Sequence, residues 1–275
     1  MNDLKIAAVC MNSIPGEIEK NFDRIESFVL DASEKGADII CFPELSITGY
    51  ILRNPLEVFS GSLCEEIIER IAQMARENGL VIIAGMIEII NGEKPYISQV
   101  VAGPHALLGI YRKTHLSPQE KEHYQPGQRI DTFCYKDVLF GVQLCYECHF
   151  PELSTVMALR GAEIIFVPHA SPRGSPDEKI QSWLRHLPGR AFDNSLFIVA
   201  CNQVGRTLGG YSFPGAAVVL NPAGRIMTRY ERNEEKLILA ELKRDDLEEI
   251  RGHKMKYFIP NRRPELYNEV SAVNS

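Results

Sequence analysis

The stretch "VQLCYECHFPEL", Val142–Leu153, is where one element of the chain ends and another begins. Upstream, "VLFGVQL" reads as a buried strand, a short apolar run rich in branched and aromatic residues. Downstream, Pro151 suits the first turn of a helix carried by "PELSTVMALRGA". A second apolar strand, "EIIFVPHA", follows. Strand, helix and strand in this order indicate an α/β layer fold. The junction holds Cys145 and Cys148, and several readings of the pair are open. A redox pair of the thioredoxin type opens a helix near the start of a small domain; here the motif is mid-chain and the helix starts only after Cys148. A zinc site needs about four ligands, and the nearest candidates are His149 and Cys134, with no second CxxC in the chain. Both thiols could be buried filler. Alternatively, Cys145 acts alone, because side chains at the C-terminal ends of strands project into the crevice where α/β proteins bind ligands. A thiol close to a helix N-terminus is expected to lean toward thiolate.

The flanking sequence extends the α/β reading. "KIAAVCM" is a strand, Phe22, Ile25, Val29 and Ala32 recur at helical spacing, and Gly36 stops the helix. "ADIICFPEL" is a second strand, and Ser62-x-x-Glu65 predicts a capping box opening a helix that Gly79 ends. "LVIIAGMIEII", "ISQVVAG" and "LLGIYRK" add strands. Ser175-Pro176-Asp177-Glu178 caps a further helix running toward Asn194, which Pro188-Gly189 should kink or split. "LFIVACNQV", "GAAVVLNP", "RIMTRY" and "KLILAEL" are strands, and "RDDLEEIRGHK" is a last helix. With no repeat, linker or low-complexity tract, residues 1–275 are expected to form a single domain.

Composition narrows the function. At 275 residues, 45% hydrophobic and 24% charged, the balance is that of an ordinary globular chain. A net charge of −6 without a basic run gives no phosphate-binding stripe, so no nucleic-acid partner is expected. No apolar segment approaches the roughly 20 residues of a membrane span, and Pro15-Gly16 interrupts the N-terminal apolar run too early for a signal peptide. Seven cysteines, most of them within apolar runs, suggest a reduced, cytoplasmic protein.

Two more strand ends carry reactive groups: "ADIICFPEL" delivers Glu44 and "LLGIYRK" delivers Lys113. Singly, each is as well explained by a cap or a solvated strand end. Together with Cys145 they put an acid, a base and a thiol each at the close of an apolar strand. The segments "FPELSITGY", "YRKTHL" and "CYECHFPE" resemble, in that order, the glutamate, lysine and nucleophile motifs of the nitrilase superfamily of carbon–nitrogen hydrolases. The resemblance spans nearly the whole chain. It implies catalytic roles for Glu44, Lys113 and Cys145, and a second active-site glutamate at Glu120, seven residues after Lys113. Cys148 and His149 depart from the apolar residue and arginine common before "FPE".

The resemblance further implies a four-layer αββα sandwich with two stacked mixed β-sheets, a homodimer or higher homo-oligomer, and thioester chemistry needing neither metal nor organic cofactor. The expected function is hydrolysis of a small amide or N-carbamoyl compound with release of ammonia. True nitrilases often carry Trp-Glu after the nucleophile, so Tyr146-Glu147 leans toward amides. The alternatives are a nitrilase acting on C≡N and a non-catalytic member that binds a metabolite or partner. Tyr146, Glu147 and His169 are expected at the substrate. Glu44, Glu120 and Glu147 would place three carboxylates near one lysine, favouring a neutral amide head. Trp183, His186, Arg190 and Asn194, at near-helical spacing, are expected to fix their helix rather than meet substrate. His115 is expected to be a buried scaffold residue, and Cys41 and Cys201 core.

Overall fold

The computed structural model describes residues 2–52, 55, 61–90, 93–207 and 209–271. The first sheet takes β1 (Leu4–Cys10), β2 (Ile39–Cys41), β3 (Val81–Glu88), β4 (Tyr96–Ala102), β5 (Leu107–Arg112) and, from the far end of the chain, β14 (Lys236–Leu242). Their order is β14-β1-β2-β3-β4-β5. The second takes β6 (Thr132–Tyr135), β7 (Val138–Val142), β8 (Ile164–His169), β9 (Phe197–Asn202), β12 (Ala216–Leu220) and β13 (Ile226–Glu231), in the order β13-β12-β9-β8-β7-β6. A two-stranded ribbon, β10 (Gly205–Arg206) with β11 (Ser212–Phe213), lies apart. Each sheet has a parallel centre and antiparallel flanks: β1, β2 and β3 run parallel, as do β7, β8 and β9.

Continuous apolar strands arise because both sheet faces are covered. In β1, Ile6, Ala8 and Cys10 join a core shared with Phe166, Ala200 and Val218 of the other sheet. The alternate residues Ala7 and Val9 pack with Phe22, Ile25 and Val29 of α1 (Ile18–Glu34) and Ile67 and Ile71 of α2 (Gly61–Asn78). Outside the second sheet lie α3 (Pro151–Leu159), α4 (Pro176–Trp183) and α5 (Leu187–Asn194), with α4 against β12 and α5 against β9. Helix α6 (Arg244–Arg251) follows β14. The layers are helices, sheet, sheet, helices, as expected.

One local expectation fails, one holds with its break shifted by a few residues, and one strand was not expected. Ser62 does not open α2, because the helix is already under way at Gly61. The helix capped by Ser175, whose Oγ accepts from Glu178 N, breaks at Leu184–His186, just before Pro188. Strand β6 was absent from the sequence reading. It pairs with β7 through a tight turn at Lys136 and Asp137, which adopt φ of 49° and 61° without the Asn-Gly signal that usually marks such a turn.

Candidate active site

Three strand ends and the loop after β5 meet between the sheets. Glu44 lies in the turn after β2. That turn is pinned to β3, where Ser46 Oγ accepts from Gly85 N and Gly85 O accepts from Ile47 N. The approach is so close that a Cβ on Gly85 would stand 2.3 Å from Leu45 N. Lys113 is the residue after β5. Its Nζ donates to Glu44 Oε1 at 2.7 Å and to Glu120 Oε1 at 2.7 Å, and all three side chains are buried. The remaining oxygens are held by backbone: Glu44 Oε2 accepts from Ala170 N, and Glu120 Oε2 from Ser117 N. Burial opposes the Lys113 charge, but Glu44 and Glu120 outweigh it and hold its pKa well above the usual lysine value.

Cys145 opens a short 3-10 turn, Cys145–His149, with a left-handed φ of 45°. Non-glycine residues adopt that conformation rarely and at a cost. Burial first, and then the Glu44 carboxylate, push the Cys145 thiol well up, against the pull of Lys113. The resting group is therefore a thiol, and the expected helix-terminus field does not make it a thiolate. Burial also raises Glu44, with Lys113 opposing. A neutral thiol beside a carboxylate of raised pKa is a nucleophile with a proton acceptor at hand.

A cavity of about 690 Å³ opens above Cys145, lined among others by Tyr50, Glu120, Tyr146, Cys148, His149, His169, Lys179, Trp183, His186 and Tyr211. Tyr146 and His169 therefore line it. Glu147 does not. Fully buried, its carboxylate accepts from Leu144 N, Thr114 N, Thr114 Oγ1 and Tyr111 Oη. It ties the nucleophile turn to the lysine loop, and the three-carboxylate expectation reduces to two. Trp183 and His186, expected to fix their helix, also line the cavity. Arg190 keeps its structural role, donating to the Cys148 and His149 carbonyls, and Asn194 donates to Arg190 O. His115 is half-buried and stacks on Phe150 at 4.3 Å, while Cys41 and Cys201 are core.

Cys148 sits 3.1 Å from His186 Nε2 and 3.8 Å from His169 Nε2. Burial raises Cys148 to about 12 and lowers His186 to about 4, so a neutral thiol meets a neutral imidazole. Ligand atoms of Cys148, His149 and His186 lie within 4.8 Å of one another. Sequence spacing gave no hint of this grouping, because His186 comes from the break between α4 and α5. Three donors, one of them a protonated thiol, are one short of a closed zinc shell. Lys179 and Arg173, also on the cavity wall, were missed as well. For Lys179 a signal was present: it and Trp183 are four apart on α4 and share one face of that helix.

The carbon-nitrogen hydrolase family model matches residues 5–252. The chain belongs to the carbon–nitrogen hydrolase family. Within it, a nitrilase of Pyrococcus abyssi is 30% identical, with 96% of this chain and 99% of that one aligned. An N-carbamoylputrescine amidase of Oryza sativa is 31% identical over 96% and 93%. Among solved structures, an amidase from Nesterenkonia sp. AN1 carrying acrylamide added at its active-site cysteine superposes with a TM-score of 0.86. It is 25% identical, with 97% of this chain and 99% of that one covered. No helix among the described residues is long and apolar enough to cross a membrane.

Proposed function

We propose that this carbon–nitrogen hydrolase cleaves a small amide or N-carbamoyl compound through a thioester on Cys145, releasing ammonia. The observation that carries the reading is the buried Lys113 ammonium held at 2.7 Å by both Glu44 and Glu120, in the electrostatic field of the Cys145 thiol. Glu44 takes the thiol proton as sulfur attacks the carbonyl carbon. The oxyanion is met by Lys113 and the Tyr146 backbone N–H; one such donor is typically worth about a hundred- to a thousandfold in rate. The C–N bond breaks as Glu44 returns the proton to the leaving nitrogen. Water then attacks the thioester, Glu44 takes its proton, and the C–S bond breaks as Glu44 passes that proton to the departing sulfur, freeing the product and restoring the thiol. Glu120, engaged by Lys113 and Ser117 N, positions the lysine rather than the substrate. Tyr146 and His169 contribute cavity wall.

An amide head brings N–H donors that the Glu44 carboxylate can accept; a nitrile brings none. Ammonia release from matched amide–nitrile pairs tests the assignment. Amides or N-carbamoyl amines should lead in kcat/KM by at least tenfold, and a nitrile preference would make the protein a nitrilase in the strict sense. We further take residues 1–275 as one domain that works in the cytoplasm, where seven free thiols remain reduced. We also expect it to assemble as a homodimer or larger homo-oligomer. The C-terminal segment after α6 supports that assembly, since it exposes Met255, Leu266 and Val270. Sedimentation of the full chain tests it: a monomer at micromolar concentration contradicts it.

A further inference from the structure

The nucleophile segment departs from its family's common pattern at Cys148 and His149, and both are metal-binding residue types. The fold brings a third, His186, from the break between α4 and α5. The ligand atoms of the three lie within 4.8 Å of one another. Zinc bound tetrahedrally by a thiolate at about 2.3 Å and an imidazole at about 2.0 Å holds sulfur and nitrogen about 3.5 Å apart. Cys148 Sγ stands 3.1 Å from His186 Nε2 and 3.8 Å from His169 Nε2, distances that bracket this value. The His149 ring lies beside that of His186, with centroids 4.6 Å apart. Outer contacts hold these donors as they hold the ligands of metal sites. Arg190 donates to the Cys148 carbonyl at 3.3 Å and to the His149 carbonyl at 3.4 Å, which fixes the backbone of both. The His186 ring hydrogen-bonds to the Ser182 backbone. His169 Nδ1 lies 2.8 Å from Val167 O; a carbonyl only accepts, so Nδ1 carries the proton and Nε2 keeps a lone pair toward Cys148. The catalytic steps use neither Cys148, His149 nor His186.

We propose that Cys148, His149 and His186 form a binding site for a thiophilic divalent metal ion, zinc above all, and that the bound ion blocks access to Cys145. All three residues line the same cavity as Cys145, so the ion stands in the path of the substrate. Binding sends the Cys148 S–H proton to solvent and forms one metal–sulfur and two metal–nitrogen bonds, with no change of oxidation state. The fourth position faces the cavity, where water or His169 Nε2 completes the shell. Two features keep the affinity moderate. Only three ligands converge closely, and the Arg190 guanidinium lies beside two of them. The site therefore fits a reversible inhibitor bound in the micromolar range, not a structural ion held at zinc-finger strength.

Calorimetric titration of zinc into untagged Cys145→Ala tests the site without the catalytic thiol and without turnover, so its outcome is independent of the hydrolase reading. One equivalent should bind with micromolar affinity. In that background Cys148→Ser, and His149→Gln at an exposed position, should each weaken binding by about tenfold or more. Cobalt(II) in the same protein should give thiolate-to-metal charge-transfer absorption that Cys148→Ser removes. In wild type, zinc should slow iodoacetamide labelling of Cys145, and EDTA should restore it. His149→Gln should need about tenfold more zinc for the same protection. No binding to Cys145→Ala up to about a hundred micromolar zinc, or an affinity indifferent to either substitution, overturns the site. Protection that His149→Gln leaves unmoved overturns the blocking role and assigns the metal to Cys145 itself.

Discussion

Replacing Lys113 with methionine removes the one cation between two buried carboxylates while keeping most of the side-chain volume. Glu44 Oε1 and Glu120 Oε1 each lose a 2.7 Å charged hydrogen bond, and among the described residues neither has another ion pair. Breaking a buried pair from one side typically costs about 3–5 kcal/mol. The folded protein relieves part of that by protonating a carboxyl group. Glu44, which burial already raises, would then lose the lysine that opposes the rise, so its folded-state pKa lies further above its unfolded value and the folded state binds more protons than the unfolded one. Stability under that condition is present at low pH and is lost as pH rises, by up to about 1.4 kcal/mol per pH unit for each proton. Denaturant unfolding of wild type and Lys113→Met between pH 5 and pH 8 should therefore show a gap that widens with pH. Adding Glu120→Gln should narrow it. In the same preparations kcat should fall by at least a hundredfold, since the oxyanion loses its charged donor. A folded variant with kcat within tenfold of wild type, or a stability gap independent of pH, would refute the clamp and the role assigned to Lys113.

Other expectations follow from single contacts. Cys145→Ala should abolish turnover with unfolding midpoints close to wild type, whereas Cys148→Ala should keep measurable activity; equal loss in both would revive the cysteine pair. Alkylation by iodoacetamide should reach both exposed Cys134 and Cys145, and only labelling at Cys145 should track inactivation and be slowed by substrate, as peptide mapping would report. Glu147→Ala should destabilise by about 3 kcal/mol or more, because it strands buried donors at Tyr111, Thr114 and Leu144; a neutral result in denaturant unfolding would contradict its tying role. Gly85→Ala should cut kcat strongly by driving the Glu44 turn off β3, visible as lost turnover in a protein that still folds.

The sequence by itself determined the α/β class, nearly every strand, and the residues Glu44, Lys113 and Cys145. Each of these features is local: an apolar run long enough for a strand, a reactive group at its end, and a motif around it. The sequence did not reveal which way the residues beside the nucleophile point. Glu147 is two positions from Cys145, yet the 3-10 turn rotates it away from the cavity and into the backbone donors of the lysine loop. The hairpin of β6 and β7 was hidden because Lys136-Asp137 lacks the Asn-Gly signal of such a turn, although both residues adopt positive φ. The far wall of the cavity was least legible. His186 and Lys179 lie more than thirty residues along the chain from Cys145, and only the packing of α4 and α5 on the second sheet brings them over it. A helix face records that it is amphipathic, but its partner across the cavity is set by how two sheets stack, and that is a property of the whole core.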